Sequence, residues 1–197
     1  MKINLKEKRE FEIIQAAFKV FSKHGFHEAK MEEIARKAGI GKGTVYEYFS
    51  SKKELFQEMI RRMIEVYIEG AKGIAAGKKT TREKLIAFAD YHGKFLQHHI
   101  DMTETTGFKY DNLSVGMKQW LREEQRKIHD FLLAIIEGGI KNQEFRQEID
   151  IETAALTIMG AINLNYAKQI YFDQKKAEDI DPSALIDLVF KGIGNSK

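Results

Sequence analysis

The segment GIGKGT at residues 39–44 combines glycines, a lysine and a threonine, the residue types that surround phosphate groups in nucleotide-binding loops. Such a loop requires the lysine and the threonine to be adjacent, at the start of a helix that follows a strand. Here Gly43 separates Lys42 from Thr44. The preceding segment has the apolar spacing of a helix, at Met31, Ile34, Ala35 and Ala38. The sequence therefore predicts a helix, a glycine-containing turn and a second helix.

A second group of residues could bind a divalent metal ion. His92 and His99 are seven residues apart on one face of a predicted helix, and Asp101 is close by. Helical zinc sites usually place two histidines four residues apart, as in the pattern H-E-x-x-H, which is absent from this chain. The chain also has no cysteine and no G-x-S-x-G nucleophile motif. We therefore expect no metal, no cofactor and no enzymatic activity.

The composition is that of a globular chain with one domain or two small ones. Of the 197 residues, 43% are hydrophobic, which is enough to form a buried core. We find neither an apolar run of about 18 residues nor a charged-then-apolar leader at the N-terminus. We therefore expect a cytoplasmic protein that does not insert into a membrane.

Positive charge is concentrated in the first third of the chain. Residues 1–60 contain twelve Lys and Arg against nine Asp and Glu, whereas residues 61–197 contain twenty of each. A basic surface gains affinity for a polyanion through counterion release, so this excess favours a nucleic-acid partner. A chance surplus on a solvated helix face is the alternative interpretation.

Helical periodicity runs through the whole chain and predicts the all-α class. The first helix is expected to stop at Gly25, and the third to run from Lys42 to Phe49. The segment GAKGIAAGKKT at residues 70–80 is interpreted as a connection or a frayed helix end. Asp181 and Pro182 have the residue types of a helix cap and first turn. The other predicted helices cover residues 30–38, 52–69, about 85–99, about 116–138, and 152–166, with a final helix over 182–193.

Two short helices joined by a tight turn, behind a first bracing helix, form a helix-turn-helix whose second helix enters the major groove of DNA. We therefore predict an N-terminal three-helix helix-turn-helix DNA-binding domain at residues 1–51. Residues 52–197 are predicted to form a helical C-terminal domain for ligand binding and dimerisation. Because one helix-turn-helix contacts only a few base pairs, a homodimer on a palindromic double-stranded DNA operator is expected.

The segment FSKHGFHEAKMEEIARKAGIGKGTVYEYFSSKKELF at residues 21–56 resembles the N-terminal domain of the TetR family of bacterial repressors. The family pattern is approximately G-[FY]-x-x-[ST]-[ST]-x-x-x-I-A-x-x-A-G-[VI]-x-x-G-T-[LV]-Y-x-[HY]-F-x-x-K-x-x-L. About a dozen positions agree in register. They are Gly25, Phe26, Ile34, Ala35, Ala38, Gly39, Ile40, Gly43, Thr44, Val45, Tyr46, Tyr48, Phe49, Lys52 and Leu55.

The resemblance implies roles for several residues of the recognition helix, the second helix of the helix-turn-helix, and for a residue that follows it. Lys42, Gly43 and Thr44 would lie at the end of the recognition helix that meets base edges. Tyr46 and Tyr48 would donate hydroxyl hydrogen bonds to DNA phosphates, since Val45 and Phe49 already supply the inward face. Lys52 would bind a further phosphate.

This sequence departs from the family pattern at two places. Ala29 and Lys30 replace the Ser/Thr pair that caps the second helix and touches a phosphate, so that cap is lost and Lys30 offers a positive charge instead. Glu47 lies on the outer part of the recognition helix, where it would repel phosphates but could accept a hydrogen bond from cytosine N4.

The C-terminal domain is expected to contain a small-molecule site. Residues 152–166 and the last helix are the most apolar segments and are predicted to form the dimer interface, as in the family's four-helix bundle. Seven residues combine apolar walls with a few polar groups, as ligand sites do, although each could be an ordinary core residue. They are Phe88, His92, Phe95, Met117, Trp120, Asn163 and Tyr166.

Together these features predict a ligand-responsive transcriptional repressor that binds its operator as a dimer. The inducer is expected to be hydrophobic or amphipathic, such as a lipophilic drug or a fatty acyl compound, because the predicted site has no charged clamp. The alternative is a helical metal- or ligand-binding protein whose DNA-binding end is vestigial.

Overall fold

The computed structural model of the protein describes residues 5–77, 79–106 and 113–193. Within these ranges the regular elements are helices, which confirms the predicted all-α class. The α-helices are α1 (Leu5–Glu28), α2 (Met31–Lys37), α3 (Lys42–Tyr48), α4 (Lys52–Ala76), α5 (Thr81–Thr106), α6 (Val115–Lys141), α7 (Ile151–Tyr171) and α8 (Ser183–Ile193), with a short 3₁₀ turn at Ala177–Asp179.

The chain divides into two compact units. The first comprises Met1–Glu65 and Ile100–Trp120, and the second comprises Val66–His99 and Leu121–Lys197. Three helices, α4, α5 and α6, therefore contribute residues to both units. The predicted functional boundary between residues 51 and 52 stays a prediction.

An aromatic cluster organises the core of the first unit. The ring of Phe56 lies 5.0 Å from the rings of both Phe21 and Phe26, with edge-on geometry. Aromatic pairs favour such edge-to-face contacts, which add to the stabilisation from apolar burial. Phe26 follows Gly25, where α1 bends because φ is 75° and ψ is 168°. The kink directs the end of α1 towards α4 and sets the start of the following turn.

The core of the second unit is built from α5, α6, α7 and α8 with the end of α4. Apolar side chains recur every three or four residues on one face of each helix, the spacing that buries a helical stripe. The fully buried members include Leu85, Phe88, Leu132, Ile136, Phe145, Ile158, Ile162 and Ile186. Five of the residues predicted to bind a ligand belong to this unit: Phe88, His92, Phe95, Asn163 and Tyr166.

Helix α4 is longer than its sequence predicts. The glycines at 70 and 73, interpreted as part of a connection or of a frayed helix end, lie inside a helix that continues to Ala76. A Cβ atom at Gly70 would lie 2.1 Å from the hydroxyl oxygen of Tyr91, so only glycine allows this side chain to cross α4. The close packing of α5 on α4 outweighs the low helix propensity of glycine.

The predicted start of the last helix is correct to within one residue. The side chain of Asp181 accepts a hydrogen bond of 2.9 Å from the backbone N–H of Ser183, the first residue of α8. Among the residues the structure describes, no helix combines the length and the apolar character needed to cross a lipid bilayer.

Candidate functional sites

The turn between α2 and α3 fixes the orientation of the two helices. Gly39 has φ of 69°, a left-handed conformation that glycine adopts without strain. The N–H groups of Gly39 and Ile40 donate to the carbonyl oxygens of Arg36 and Ala35, at 3.2 and 3.0 Å. These two bonds close α2 in the manner of a Schellman cap. Val45, on α3, is fully buried, so the opposite face of α3 points to solvent.

We define the candidate DNA surface as the residues predicted to contact DNA: Lys30, Lys42, Gly43, Thr44, Tyr46, Glu47, Tyr48 and Lys52. Lys42, Gly43, Tyr46 and Glu47 are exposed on α3, while Thr44 and Tyr48 are partly exposed. Apart from the adjacent residues and the helix backbone itself, no described atom lies within 4 Å of a Cβ built at Gly43, so the helix surface is open there. The structure therefore places the predicted α3 residues on one accessible helix, and their contacts with DNA stay predictions.

Lys30 precedes α2 with an extended backbone, and none of the described side chains caps the helix at this position. This agrees with the loss of the Ser/Thr cap expected from the sequence. The Lys30 side chain is exposed, while the neighbouring Ala29 is buried. Lys30 therefore does not take over the capping role of the usual residue, and its ammonium group faces solvent at the edge of the candidate DNA surface.

Lys42 forms an ion pair that sequence reasoning missed. Its ammonium group donates a hydrogen bond to the carboxylate of Glu32 on α2. This contact lowers the pKa of Glu32 and raises the pKa of Lys42, because each charge stabilises the other. The Nζ atom also lies 5.9 Å from the ring centroid of Tyr46. Ten residues and a turn separate Glu32 from Lys42, so no helical spacing rule relates them.

Lys52 makes contacts within the protein at the position predicted to bind a phosphate. Its Nζ donates to the carbonyl oxygens of His27 and Ala29, at 2.8 and 3.0 Å. The same atom lies 5.0 Å from the ring centroid of Phe26, a cation–π contact. Lys52 therefore stabilises the turn between α1 and α2. An ammonium group has three donors, so one remains beyond these two bonds.

In the second unit a chain of hydrogen bonds links three helices through buried polar side chains. We call Tyr67 of α4, His92 of α5 and Asn163 of α7 the polar core cluster. The Tyr67 hydroxyl lies 2.6 Å from His92 Nδ1, and His92 Nε2 lies 2.8 Å from Asn163 Oδ1. The amide oxygen can only accept, so Nε2 donates to Asn163. Burial lowers the pKa of His92 and favours the neutral ring, in which Nδ1 accepts from the Tyr67 hydroxyl.

Burial lowers the pKa of His92 below its usual range, and the hydrogen bond to Asn163 opposes this effect only in part. Burial also raises the pKa of Tyr67, so its hydroxyl stays protonated and able to donate. Sequence reasoning found His92 and Asn163 but missed Tyr67, which lies 25 residues before His92. The apolar neighbours of Tyr67 on α4 give no indication of a polar partner.

Aromatic rings surround the polar core cluster. The Phe95 ring centroid lies 4.2 Å from that of Tyr67, and Phe88 lies 5.7 Å from His92 and 5.0 Å from Phe131. Tyr166 is fully buried, and no group among the described residues bonds its hydroxyl oxygen. The structure thus brings Phe88, His92, Phe95, Asn163 and Tyr166 into the second unit.

The remaining two predicted ligand residues, Met117 and Trp120, belong to the first unit. Met117 is buried, and the guanidinium of Arg61 lies 4.5 Å from the ring centroid of Trp120. Arg61 is a cationic neighbour that sequence reasoning missed, because its partner is 59 residues away in the chain. The side chains of His99 and Asp101, weighed as metal ligands, lie outside those described. The described residues contain no group of three His, Cys, Asp or Glu side chains suited to a metal ion.

Two segments of the chain match the models of one protein family. Residues 13–59 match the bacterial regulatory proteins of the tetR family, and residues 78–167 match the tetracyclin repressor-like C-terminal domain. The matched segments together span more than half of the chain, and the first contains the whole helix-turn-helix. The chain belongs to the TetR family. Its helix-turn-helix is therefore that of a transcriptional regulator, as predicted.

Other TetR-family proteins align with this chain over nearly its whole length. The fatty acid metabolism regulator protein of Bacillus subtilis (strain 168) is 25% identical over 193 residues, which cover 97% of this chain and 100% of that protein. A crystal structure of FadR from Bacillus subtilis in complex with stearoyl-CoA has a TM-score of 0.67 at 25% identity, covering 92% of this chain and 95% of that one. These similarities support a regulator that responds to a ligand.

A third TetR-family protein shows how far the fold extends beyond sequence similarity. The crystal structure of PfmR from Thermus thermophilus has a TM-score of 0.68 at 18% identity, covering 98% of this chain and 100% of that chain. At this identity the likeness concerns the fold alone. It confirms the predicted arrangement of a helix-turn-helix domain followed by a helical domain.

The last two helices of this TetR-family chain carry exposed apolar side chains. On α7, Leu156 and Leu164 are 64% and 73% exposed, and on α8 Leu188 is 67% exposed. Ile158, Ile162 and Tyr166 on the other side of α7 are buried. Helix α7 therefore carries apolar side chains on two faces, and among the residues that the structure describes one face is buried while Leu156 and Leu164 stay exposed.

Proposed function

We propose that this chain is a transcriptional repressor that binds a palindromic operator as a homodimer and is released by a long-chain fatty acyl thioester. The observation that carries this proposal is the alignment, over almost the full length of both chains, with the fatty acid metabolism regulator of Bacillus subtilis. Because the operator is intracellular DNA, the protein acts in the cytoplasm.

The candidate DNA surface supports the DNA-binding part of the proposal. Lys42, Gly43 and Thr44 begin α3, the position from which recognition helices contact base edges. The open surface at Gly43 lets a nucleotide approach the helix backbone closely. Tyr46 and Tyr48 supply hydroxyl donors for phosphates, which position the helix without selecting a sequence. Glu47 adds an acceptor suited to cytosine N4.

The exposed face of α7 and α8 supports the homodimer. Each leucine transferred from water to an apolar interface contributes roughly 1.5–3 kcal/mol, so Leu156, Leu164 and Leu188 together provide a substantial driving force. Contiguous exposed apolar surface on a soluble protein usually marks an interaction site. Two copies joined along this face would present two α3 helices, which matches the twofold symmetry of a palindromic operator.

The interior of the second unit supports an amphipathic ligand. Phe88 and Phe95 supply apolar rings, and the polar core cluster supplies hydrogen-bonding groups beside them. A thioester carbonyl is an acceptor and an acyl chain is apolar, so a fatty acyl thioester needs both kinds of contact. A ligand carbonyl that accepted from Tyr67 or His92 would replace a bond of the cluster.

The polar core cluster also provides a way for a bound ligand to cause release of the operator. Tyr67 belongs to α4, the helix that begins at Lys52, and His92 and Asn163 connect it to α5 and α7. A ligand that breaks the bond between Tyr67 and His92 changes the constraint on α4. Only a ligand that binds the released conformation more tightly than the DNA-bound one can shift the equilibrium.

Titration of the protein–operator complex with stearoyl-CoA tests this function. DNA fragments retained by the purified protein supply the operator, and fluorescence anisotropy follows its release. We expect stearoyl-CoA at low micromolar concentration to release the DNA, whereas free CoA does not. If stearoyl-CoA binds without releasing the DNA, or fails to bind, the proposed inducer class is wrong.

A further inference from the structure

The helix-turn-helix carries almost no net charge for an element proposed to bind DNA. Residues 30–48 contain four Lys and Arg and three Glu. Each phosphate neutralised by Lys or Arg adds affinity for any DNA sequence through counterion release. The acidic residues Glu32, Glu33 and Glu47 oppose that effect, and the basic groups paired with Glu32 and Glu33 decide where those two act.

Glu32 pairs with Lys42, the basic residue at the start of the proposed recognition helix. It lies in the first turn of α2, and its carboxylate accepts a hydrogen bond from Lys42, the first residue of α3. The side chains of Lys42 and Glu32 are 49% and 59% exposed, so the pair stands in solvent on the protein surface. The ring centroid of Tyr46 lies 5.9 Å from the same ammonium group.

Glu33 carries the same charge as Glu32 and lies in the same turn of α2, but it has different partners. Its Oε1 lies 3.2 Å from His24 Nε2 and 4.0 Å from Arg36 Nη2. No bond to Lys42 is found for Glu33 among the described contacts. The two neighbouring carboxylates therefore affect the net charge of the helix-turn-helix equally but differ in their effect on Lys42.

We propose that Glu32 is a specificity-determining residue that holds Lys42 at the start of α3 and keeps it from pairing with the phosphates of non-cognate DNA. A lysine already paired with a carboxylate releases no counterion from DNA until that pair is broken. Only a DNA sequence that offers Lys42 a well-placed acceptor, such as guanine O6 or N7, compensates for the loss of Glu32. This inference rests on the proposed DNA-binding function.

The variant Glu32→Gln tests the inference by releasing Lys42. Binding to the selected operator and to an unrelated duplex is measured between about 50 and 300 mM salt for the full chain. We expect affinity for the unrelated duplex to rise roughly threefold to tenfold per protomer, with a log–log salt slope steeper by about 0.9. The ratio of operator affinity to unrelated-duplex affinity should fall.

Two comparisons separate a specific effect from one of bulk charge. Glu33→Gln removes the same charge one residue away and should change the affinity ratio much less than Glu32→Gln. In a Lys42→Gln background, Glu32→Gln should lose most of its effect, since no ammonium group is left to release. Equal effects of Glu32→Gln and Glu33→Gln, or an undiminished effect in the Lys42→Gln background, would overturn the inference.

The proposed function and this inference fail in different ways. If the wild-type protein selects no DNA sequence, the DNA-binding function is wrong, and the role of Glu32 is wrong with it. If the wild-type protein selects an operator but Glu32→Gln leaves the salt slope and the affinity ratio unchanged, only the role of Glu32 is wrong.

Discussion

Polar side chains serve opposite purposes in the candidate DNA surface and in the polar core cluster. On α3, Tyr46 and Glu47 are exposed to solvent, and Lys42 is exposed as well although it is paired with Glu32. In the second unit, His92 and Tyr67 are buried and satisfy one another. An exposed polar group costs little to keep, whereas a buried one is costly unless it is hydrogen-bonded.

Because of this difference, substitutions on the candidate DNA surface and substitutions in the polar core cluster should have different effects. Changes on the candidate DNA surface, except at Lys52, should alter DNA binding and leave the fold nearly as stable, because surface substitutions usually change stability by less than about 0.5 kcal/mol. Changes in or around the polar core cluster should affect both stability and the ligand response. The substitutions below test whether effects on DNA binding separate in this way from effects on stability and ligand response. One of them tests the homodimer on which the DNA-binding proposal depends.

The largest effect is expected for Leu164→Glu, on the exposed face of α7. Two carboxylates brought into an apolar interface would be desolvated without a partner, so the dimer should dissociate. Loss of the second protomer should weaken operator binding by roughly 100-fold or more. Analytical ultracentrifugation at micromolar concentration measures the assembly directly. Val66→Glu is the control, since Val66 is 69% exposed on α4, and a wild-type protein that sediments as a monomer would contradict the proposal.

The next largest effect is expected at Phe95, an aromatic residue beside the polar core cluster. Phe95→Ala removes the ring that lies 4.2 Å from Tyr67, and the stearoyl-CoA concentration needed for half-release should rise about tenfold. Operator affinity without ligand should change less than about twofold, because the candidate DNA surface is intact. Phe172→Ala, at a residue that is 82% exposed, is the control. A parallel loss of DNA affinity and ligand response would make Phe95 an ordinary core residue.

A smaller effect is expected for Lys52→Ala, which should change both DNA binding and the stability of the fold. Loss of one phosphate contact should weaken binding to every DNA sequence alike and flatten the log–log salt slope by about one unit per protomer. Loss of the bonds to His27 and Ala29 should also lower the free energy of unfolding by about 1–2 kcal/mol. The exposed neighbour Lys53 provides the matched variant, Lys53→Ala. A changed base preference with an unchanged slope would rule out the phosphate role.

The smallest effect is a pH dependence of stability that arises from His92. Because burial lowers its pKa in the folded protein, the unfolded chain binds the proton more readily. The free energy of unfolding should therefore decrease as the pH falls from about 6.5 towards the folded pKa, by at most about 1.4 kcal/mol per pH unit. Denaturant titrations of wild type and His92→Gln should differ in this window. His98→Gln, at an exposed histidine, is the control and should keep the pH dependence of wild type. If His92→Gln also keeps it, His92 is not its source.

The helix-turn-helix could be predicted because its determinants are local. Gly39 follows Ala38, the residue that ends α2, and the buried residues Val45 of α3 and Phe49 at its end are four residues apart. Such spacings fix a helix, a turn and a second helix within about twenty residues. The bounds of α2 and α3 accordingly agree with the predicted ones to within one or two residues.

The partners of the functional side chains could not be predicted, because they depend on tertiary packing. His92 reaches Asn163 across 71 residues, and Lys52 reaches carbonyl oxygens 25 and 23 residues before it. Backbone carbonyls are present at every residue, so no sequence pattern marks the two that Lys52 bonds. The continuation of α4 through Gly70 likewise depends on the Tyr91 ring packed against it.

The central claim is that a pair of α3 helices recognises a defined DNA sequence, and sequencing of DNA selected by the purified wild-type protein tests it most directly. Random duplexes are incubated with the protein at about 150 mM salt, and the retained molecules are sequenced over several rounds. We expect an inverted repeat whose half-sites are separated by about one helical turn, roughly 34 Å or slightly more. Retained DNA with no enriched sequence, or with a single unrepeated half-site, would contradict the claim.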